Sequence, residues 1–219
     1  MEEMFRGLEN LESLDISNFN TTLVWSMNSM FYGSGLVNLD ISNFNSENLI
    51  DTSNMFFGCQ KLESLRINFE AKKIEKMFYM FAHCTSLLTL DLSTFKTLNL
   101  KEVKYLFYNC KKLRNLNIQN FNTSQLTNLD YMFSQCSALT SLDVRSFNTS
   151  SVRIMDGLFS NCSSLTELDL HTFNTLNCQG FYEMFAGVYN LELIVKNATA
   201  YNMIKALPQN NDFTIVYMD

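Results

Sequence analysis

Apolar positions in this chain return with one long period. Phenylalanine preceded by Met or Leu falls at Phe5, Phe31, Phe56, Phe81, Phe107, Phe133, Phe159 and Phe185, at intervals of 25 or 26 residues. Eight occurrences in register define eight units of a repeat. The unit opening at Phe133 continues through Cys136, Leu139, Leu142, Val144, Phe147, Val152 and Met155. Two shorter periods alternate inside it. Leu142-Asp143-Val144-Arg145 has period two, apolar in and polar out, and predicts a very short strand. Val152, Met155, Leu158-Phe159, Cys162 and Leu165 have period three to four, which predicts a short helix or 3₁₀ turns. Phe147-Asn148-Thr149-Ser150 lies between them, rich in residues that bond their own backbone, and predicts a corner. Two units are one residue short, between Phe31 and Leu36 and between Ile67 and Phe69. Both sites are expected to be loops.

A single unit cannot cover both of its apolar faces, so the units must stack. The expected architecture is an α/β repeat solenoid over residues 1–195, a strand from each unit joining one continuous parallel sheet. Like residues then form columns. Phe5 through Phe185 make one, and Phe19, Phe44, Phe69, Phe95, Phe121, Phe147 and Phe173 another, together 15 of the 19 Phe. Residues 196–219 leave the period and predict a C-terminal cap: a helix over 198–207, a turn at Pro208 and Asn210-Asn211, and a final strand over 213–217. The first unit opens in mid-repeat at Met4-Phe5 without a polar cap. Terminal repeats normally carry one, so missing upstream sequence or end-to-end self-association through that rung is expected.

Composition narrows the function classes. Hydrophobic residues make up 47% of the 219 and charged residues 17%, which excludes a disordered chain. No apolar run approaches the roughly 18 residues that span a bilayer, and no secretory signal is present. The net charge of −6 is unevenly placed: residues 61 to 114 hold 11 of the 16 Lys and Arg against five acids. Nucleic acid is disfavoured by the acidic remainder.

The string Met132 to Val152, with its Leu-x-x-Leu-x-Val core at Leu139 to Val144, resembles a leucine-rich repeat in which Phe-Asn-Thr replaces the usual Asn or Cys ladder after the strand. It is similar to the BspA-like leucine-rich repeat surface proteins, which include units of about this length in mycoplasma lipoproteins and lactic-acid bacteria. The resemblance covers about residues 4 to 195. It implies a cell-surface or secreted protein that binds host proteins or other cells, with no catalytic residues to carry over. The chain shows neither signal nor lipobox cysteine, so a cytoplasmic place stays open.

Candidate chemistry is sparse. Cys59, Cys84, Cys110, Cys136 and Cys162 share one position of successive units. They read as a column of buried thiols rather than metal ligands, since no Cys-x-x-Cys occurs and only two His are available. No cofactor is expected. The outward residues of the strands, Asp15, Asp40, Arg66, Asp91, Asn117, Asp143 and Asp169, form a second row that could meet a cation or a basic partner. A basic set (Arg66, Lys72, Lys73, Lys76, Lys96, Lys101, Lys104, Lys111, Lys112 and Arg114) lies on neighbouring rungs and, if on one face, could attract an anionic glycan or an acidic protein. Asn20, Asn122, Asn148, Asn161 and Asn197 stand in glycosylation sequons, mostly within the corner motif. His83 and His171 fall at different phases, and no triad, paired-acid or phosphate-loop pattern appears. The expected function is a non-enzymatic binding module for a protein or glycan; the alternative is a structural spacer or self-associating solenoid.

Overall fold

The computed structural model describes residues 1–207 and 213–218; the turn expected at Pro208 and Asn210-Asn211 lies outside them. The chain winds into a parallel β-solenoid, one unit per turn. Strands occupy the period-two stretches: β1 (Asn38–Ile41), β2 (Ser64–Ile67), β3 (Thr89–Asp91), β4 (Asn115–Asn117), β5 (Glu167–Asp169) and β6 (Glu192–Val195). One helix, α1 (Ala198–Ala206), and β7 (Thr214–Tyr217) complete the described chain.

Two expectations need correction. The sheet is not continuous: β1 pairs with β2, β3 with β4, and β6 with both β5 and β7, all parallel and in register. Ser141 to Val144 keeps the alternation, with Leu142 and Val144 buried and Asp143 outward, but pairs with no neighbour. Nor is the stretch around each anchoring Phe a helix or 3₁₀ segment. The amides of Ser29, Phe31 and Gly33 donate to the carbonyls of Ser53, Met55 and Phe57 one turn on, while those of Met30, Tyr32 and Ser34 donate three residues back within their own turn. A helix needs every interior amide for itself; here alternate amides hold the next rung. The period of about three in the sequence is therefore a chain of tight turns.

The turns require left-handed residues two before and two after each Phe, as at Asn54 (φ 56°) and Gly58 (φ 70°) around Phe56. Inside, the first Phe column stacks with ring centroids 5.4 to 5.7 Å apart from Phe5 to Phe185. Parallel offset rings add to what burial alone contributes. The short second unit closes at Gly35, where any Cβ would collide with the backbone of Glu9.

The Asn-Thr corner locks one turn to the next. The buried Thr123 hydroxyl donates to the Asn148 carbonyl (3.0 Å) and accepts from the Asn148 amide (2.7 Å). Thr97 holds Asn122, and Thr149 holds Asn174, in the same way. At the far end Asn197 caps α1 by accepting from the Ala200 amide (2.8 Å), and β7 adds a further parallel strand to β6.

Two substitutions separate the forces. Phe107→Ala, which opens a gap in the stacked column, is expected to cost about 3 to 5 kcal/mol in urea unfolding. Thr123→Val keeps the shape but strands a backbone amide and carbonyl, and is expected to cost about 1 to 3 kcal/mol. Equal losses would show that the corner lock matters as much as the column.

Candidate functional site

The left-handed position two residues before each Phe suits Gly or Asn best, and Glu3, Ser29, Asn54, Gly157 and Glu183 hold it in their turns. Three successive units place tyrosine there: Tyr79 (φ 56°), Tyr105 (φ 58°) and Tyr131 (φ 52°). Their rings stack at 4.7 and 5.1 Å, nearly parallel, on the solenoid flank. The pile ends on Gly157, where a Cβ would drive into the Tyr131 ring. A second pile lies beside it: Arg6 sits 4.4 Å over Tyr32, which stacks on Phe57 at 4.8 Å. Phe57 meets Tyr79 edge-on and His83 at a tilt, and Tyr108 meets His83 and Tyr105 edge-on. One half-buried aromatic band thus crosses the second to the sixth turn, from Tyr32 to Tyr131. Partial burial raises the phenol pKa values of Tyr79, Tyr105 and Tyr131, which keeps the hydroxyls protonated.

Beside the tyrosines runs an open groove of about 670 Å³, lined by Phe78, Tyr79, Tyr105 and Ile154, by the cations Lys101, Lys104 and Arg153, and by Glu102, Thr127 and Asn128. Of its lining, Glu102, Asn128 and Ile154 belong to a row of single-residue parallel bridges that runs Ser26, Asp51, Lys76, Glu102 and then Asn128, Ile154, Gly180. That row is interrupted once, between Glu102 and Asn128, within the groove.

A family model described as "Mycoplasma protein of unknown function, DUF285" matches residues 1–115 and 86–198. The chain belongs to that family. No curated protein matches it significantly. A crystal structure of a leucine-rich repeat protein from Bacteroides ovatus ATCC 8483 is similar over 97% of this chain and 73% of the other, at 16% identity and a TM-score of 0.40.

In this DUF285 chain the basic residues do not gather on one face. Arg66 lies on the sheet, Lys72, Lys73 and Lys96 at the corner, Lys111, Lys112 and Arg114 between Cys110 and β4, and Lys76, Lys101 and Lys104 on the groove flank. Several are already engaged: Arg66 with Asp40 (3.1 Å), Lys72 and Lys96 with Glu70, Lys101 with Glu75 (2.9 Å) and Lys73 with Asn48. Exposed pairs of this kind contribute little to stability. Lys104 and Arg153 make no ion pair among the described residues. The structure therefore brings Lys101 and Lys104 together with Arg153 and the tyrosines, which the basic cluster alone did not indicate. Tyrosine at one phase of three consecutive units was the available signal.

The strand acids serve their own turns. Asp15, Asp40, Asp91, Asp143 and Asp169 each accept the amide two residues on, at 2.9 to 3.1 Å. Asp143 also holds Arg145, and Asp169 holds His171. The sequon Asn20, Asn122 and Asn148 cap turns likewise. Each of Cys59, Cys84, Cys110, Cys136 and Cys162 donates its thiol to the carbonyl of the anchoring Phe one turn back, at 3.0 to 3.1 Å. Burial raises all five thiols, Cys59 to about 11.

Burial also lowers the pKa of His83, with Lys111 adding to it. Its Nδ1 pairs with Asn109 Nδ2 at 2.9 Å, so the neutral ring accepts there. The folded pKa lies below the ordinary 6.5. The unfolded chain then takes the proton first, and stability falls as pH drops below that value. His83→Gln is expected to flatten part of this fall between pH 7 and 5, read from urea midpoints; an unchanged slope excludes His83 as its source. For the thiols, a colorimetric thiol reagent at pH 8 is expected to leave the five column cysteines unreacted in the native protein and to find all of them after denaturation. Fast native labelling of the column would contradict its packing.

Proposed function

We propose that this protein is a non-catalytic binding module whose tyrosine-edged groove takes an anionic partner, a protein or a glycan. The observation that carries this reading is tyrosine at three successive left-handed positions. An L-residue there costs roughly 1 to 2 kcal/mol, and an aromatic pair returns roughly 0.5 to 1.5 kcal/mol. The pairing offsets the backbone cost, and the three rings form one stacked edge on a flank where the other turns carry Glu, Ser, Asn or Gly at that phase. Lys104 and Arg153 beside them supply the positive charge. The likeness to BspA-like surface repeats supports display outside the cell, where such a flank can meet a partner.

The test pairs stability with binding. Tyr105→Gly is expected to cost less in unfolding free energy than Phe107→Ala two residues away, because Tyr105 is only half-buried and glycine suits its left-handed backbone, and to weaken retention on immobilised heparin or on an acidic protein. Lys104→Glu with Arg153→Glu is expected to abolish that retention, whereas Lys72→Glu with Lys73→Glu leaves it nearly unchanged. Retention that follows Lys72 and Lys73 instead would move the site to the corner.

A further inference from the structure

The interruption in the bridge row has a defined chemistry. In every other turn along this flank, two consecutive amides converge on one carbonyl of the preceding turn. Ile50 and Asp51 donate to Trp25, Glu75 and Lys76 to Ile50, Lys101 and Glu102 to Glu75, Arg153 and Ile154 to Thr127, and Gln179 and Gly180 to Arg153. The one omission is Thr127 and Asn128, whose amides make no hydrogen bond to Lys101 or to any other described residue. Both residues line the groove, Thr127 exposed and Asn128 half-buried. Thr127 and Asn128 thus leave two adjacent backbone N–H donors unbonded in the groove lining, and successive unbonded N–H groups suit an oxygen anion.

The surroundings favour the same chemistry. Lys104 and Arg153 reach the groove without an ion pair, against the single acid Glu102 in its lining. The stacked rings of Tyr79 and Tyr105 occupy each other's faces, so the groove meets their edges, the positive part of an aromatic quadrupole, and their hydroxyls. A groove rich in donors and positive edges selects a ligand rich in oxygen acceptors. A hydroxyl-lined acidic sugar fits it better than a peptide, which brings apolar side chains and as many amide donors as acceptors.

We propose that the groove binds an acidic glycan by placing one carboxylate of a uronic acid on the Thr127 and Asn128 amides, with Lys104 and Arg153 beside it. This rests on the groove being the binding site, and the experiment separates the two ideas. In ¹⁵N-labelled full-length protein, adding a short hyaluronan oligosaccharide is expected to shift the Thr127 and Asn128 amide resonances downfield. The Arg153 and Ile154 amides, bonded within the fold, are expected to move little. The carboxylate methyl ester of that oligosaccharide should lose the shifts, and Arg153→Gln should weaken binding by roughly tenfold, as for loss of one charge-assisted hydrogen bond.

If Tyr105→Gly removes binding yet the Thr127 and Asn128 amides stay still, the groove reading stands and the carboxylate placement falls. Shifts produced by a glutamate-rich peptide and not by the oligosaccharide would overturn the glycan assignment. No shift with either ligand, and no heparin retention, would remove both ideas.

Discussion

Everything in this fold follows from the sharing of backbone amides between turns. Around each anchoring Phe from Phe5 to Phe159, alternate amides reach forward to the next turn while those between close the current one. That arrangement fixes the distance between rungs, and the distance fixes the ring spacing of the Phe column. It also demands left-handed backbone at two points per turn. The columns of Phe, Cys and Thr are side chains that such a coil can bury, with the Thr97, Thr123 and Thr149 hydroxyls paired to the next turn and Thr175 Oγ1, on the last rung, left without a partner.

The same constraint locates the exceptional region. A coil that repeats its bonding leaves little room for chemistry, because any site would be copied on each rung. Function has to arise where the copying fails. Two failures coincide here: tyrosine at left-handed positions that glycine fills at no cost, and one missing link in the bridge row beside it. Tyr79, Tyr105, Thr127 and Asn128 all line the same groove.

Much of the architecture was legible in the sequence because periodicity is a direct image of burial. The Phe and Cys columns, the strands and their outward acids can be read from residue spacing alone. The helical reading failed because a period near three belongs equally to a helix and to successive tight turns. Only the destination of the amides distinguishes them, and sequence does not record it. The sheet was read as continuous for a similar reason: Ser141 to Val144 has the strand pattern without the pairing. At the site, the basic residues were visible but their faces were not, since one turn of about 26 residues passes around the whole circumference. The tyrosines shared a phase and were readable. Their strain was not, because φ is a property of the turn.

The corner lock between Thr and Asn bears on how such a chain changes over generations. Each lock joins a threonine of one unit to an asparagine backbone of the next, so a unit duplicated or deleted whole presents both halves again in the right order. Loss of a partial unit breaks a lock and shifts every later column. Recombination between copies of the repeat therefore changes length in whole rungs that keep the Thr–Asn register, and where the exchange falls outside Phe78 to Ile154 the tyrosine groove is carried nearer to or farther from either end.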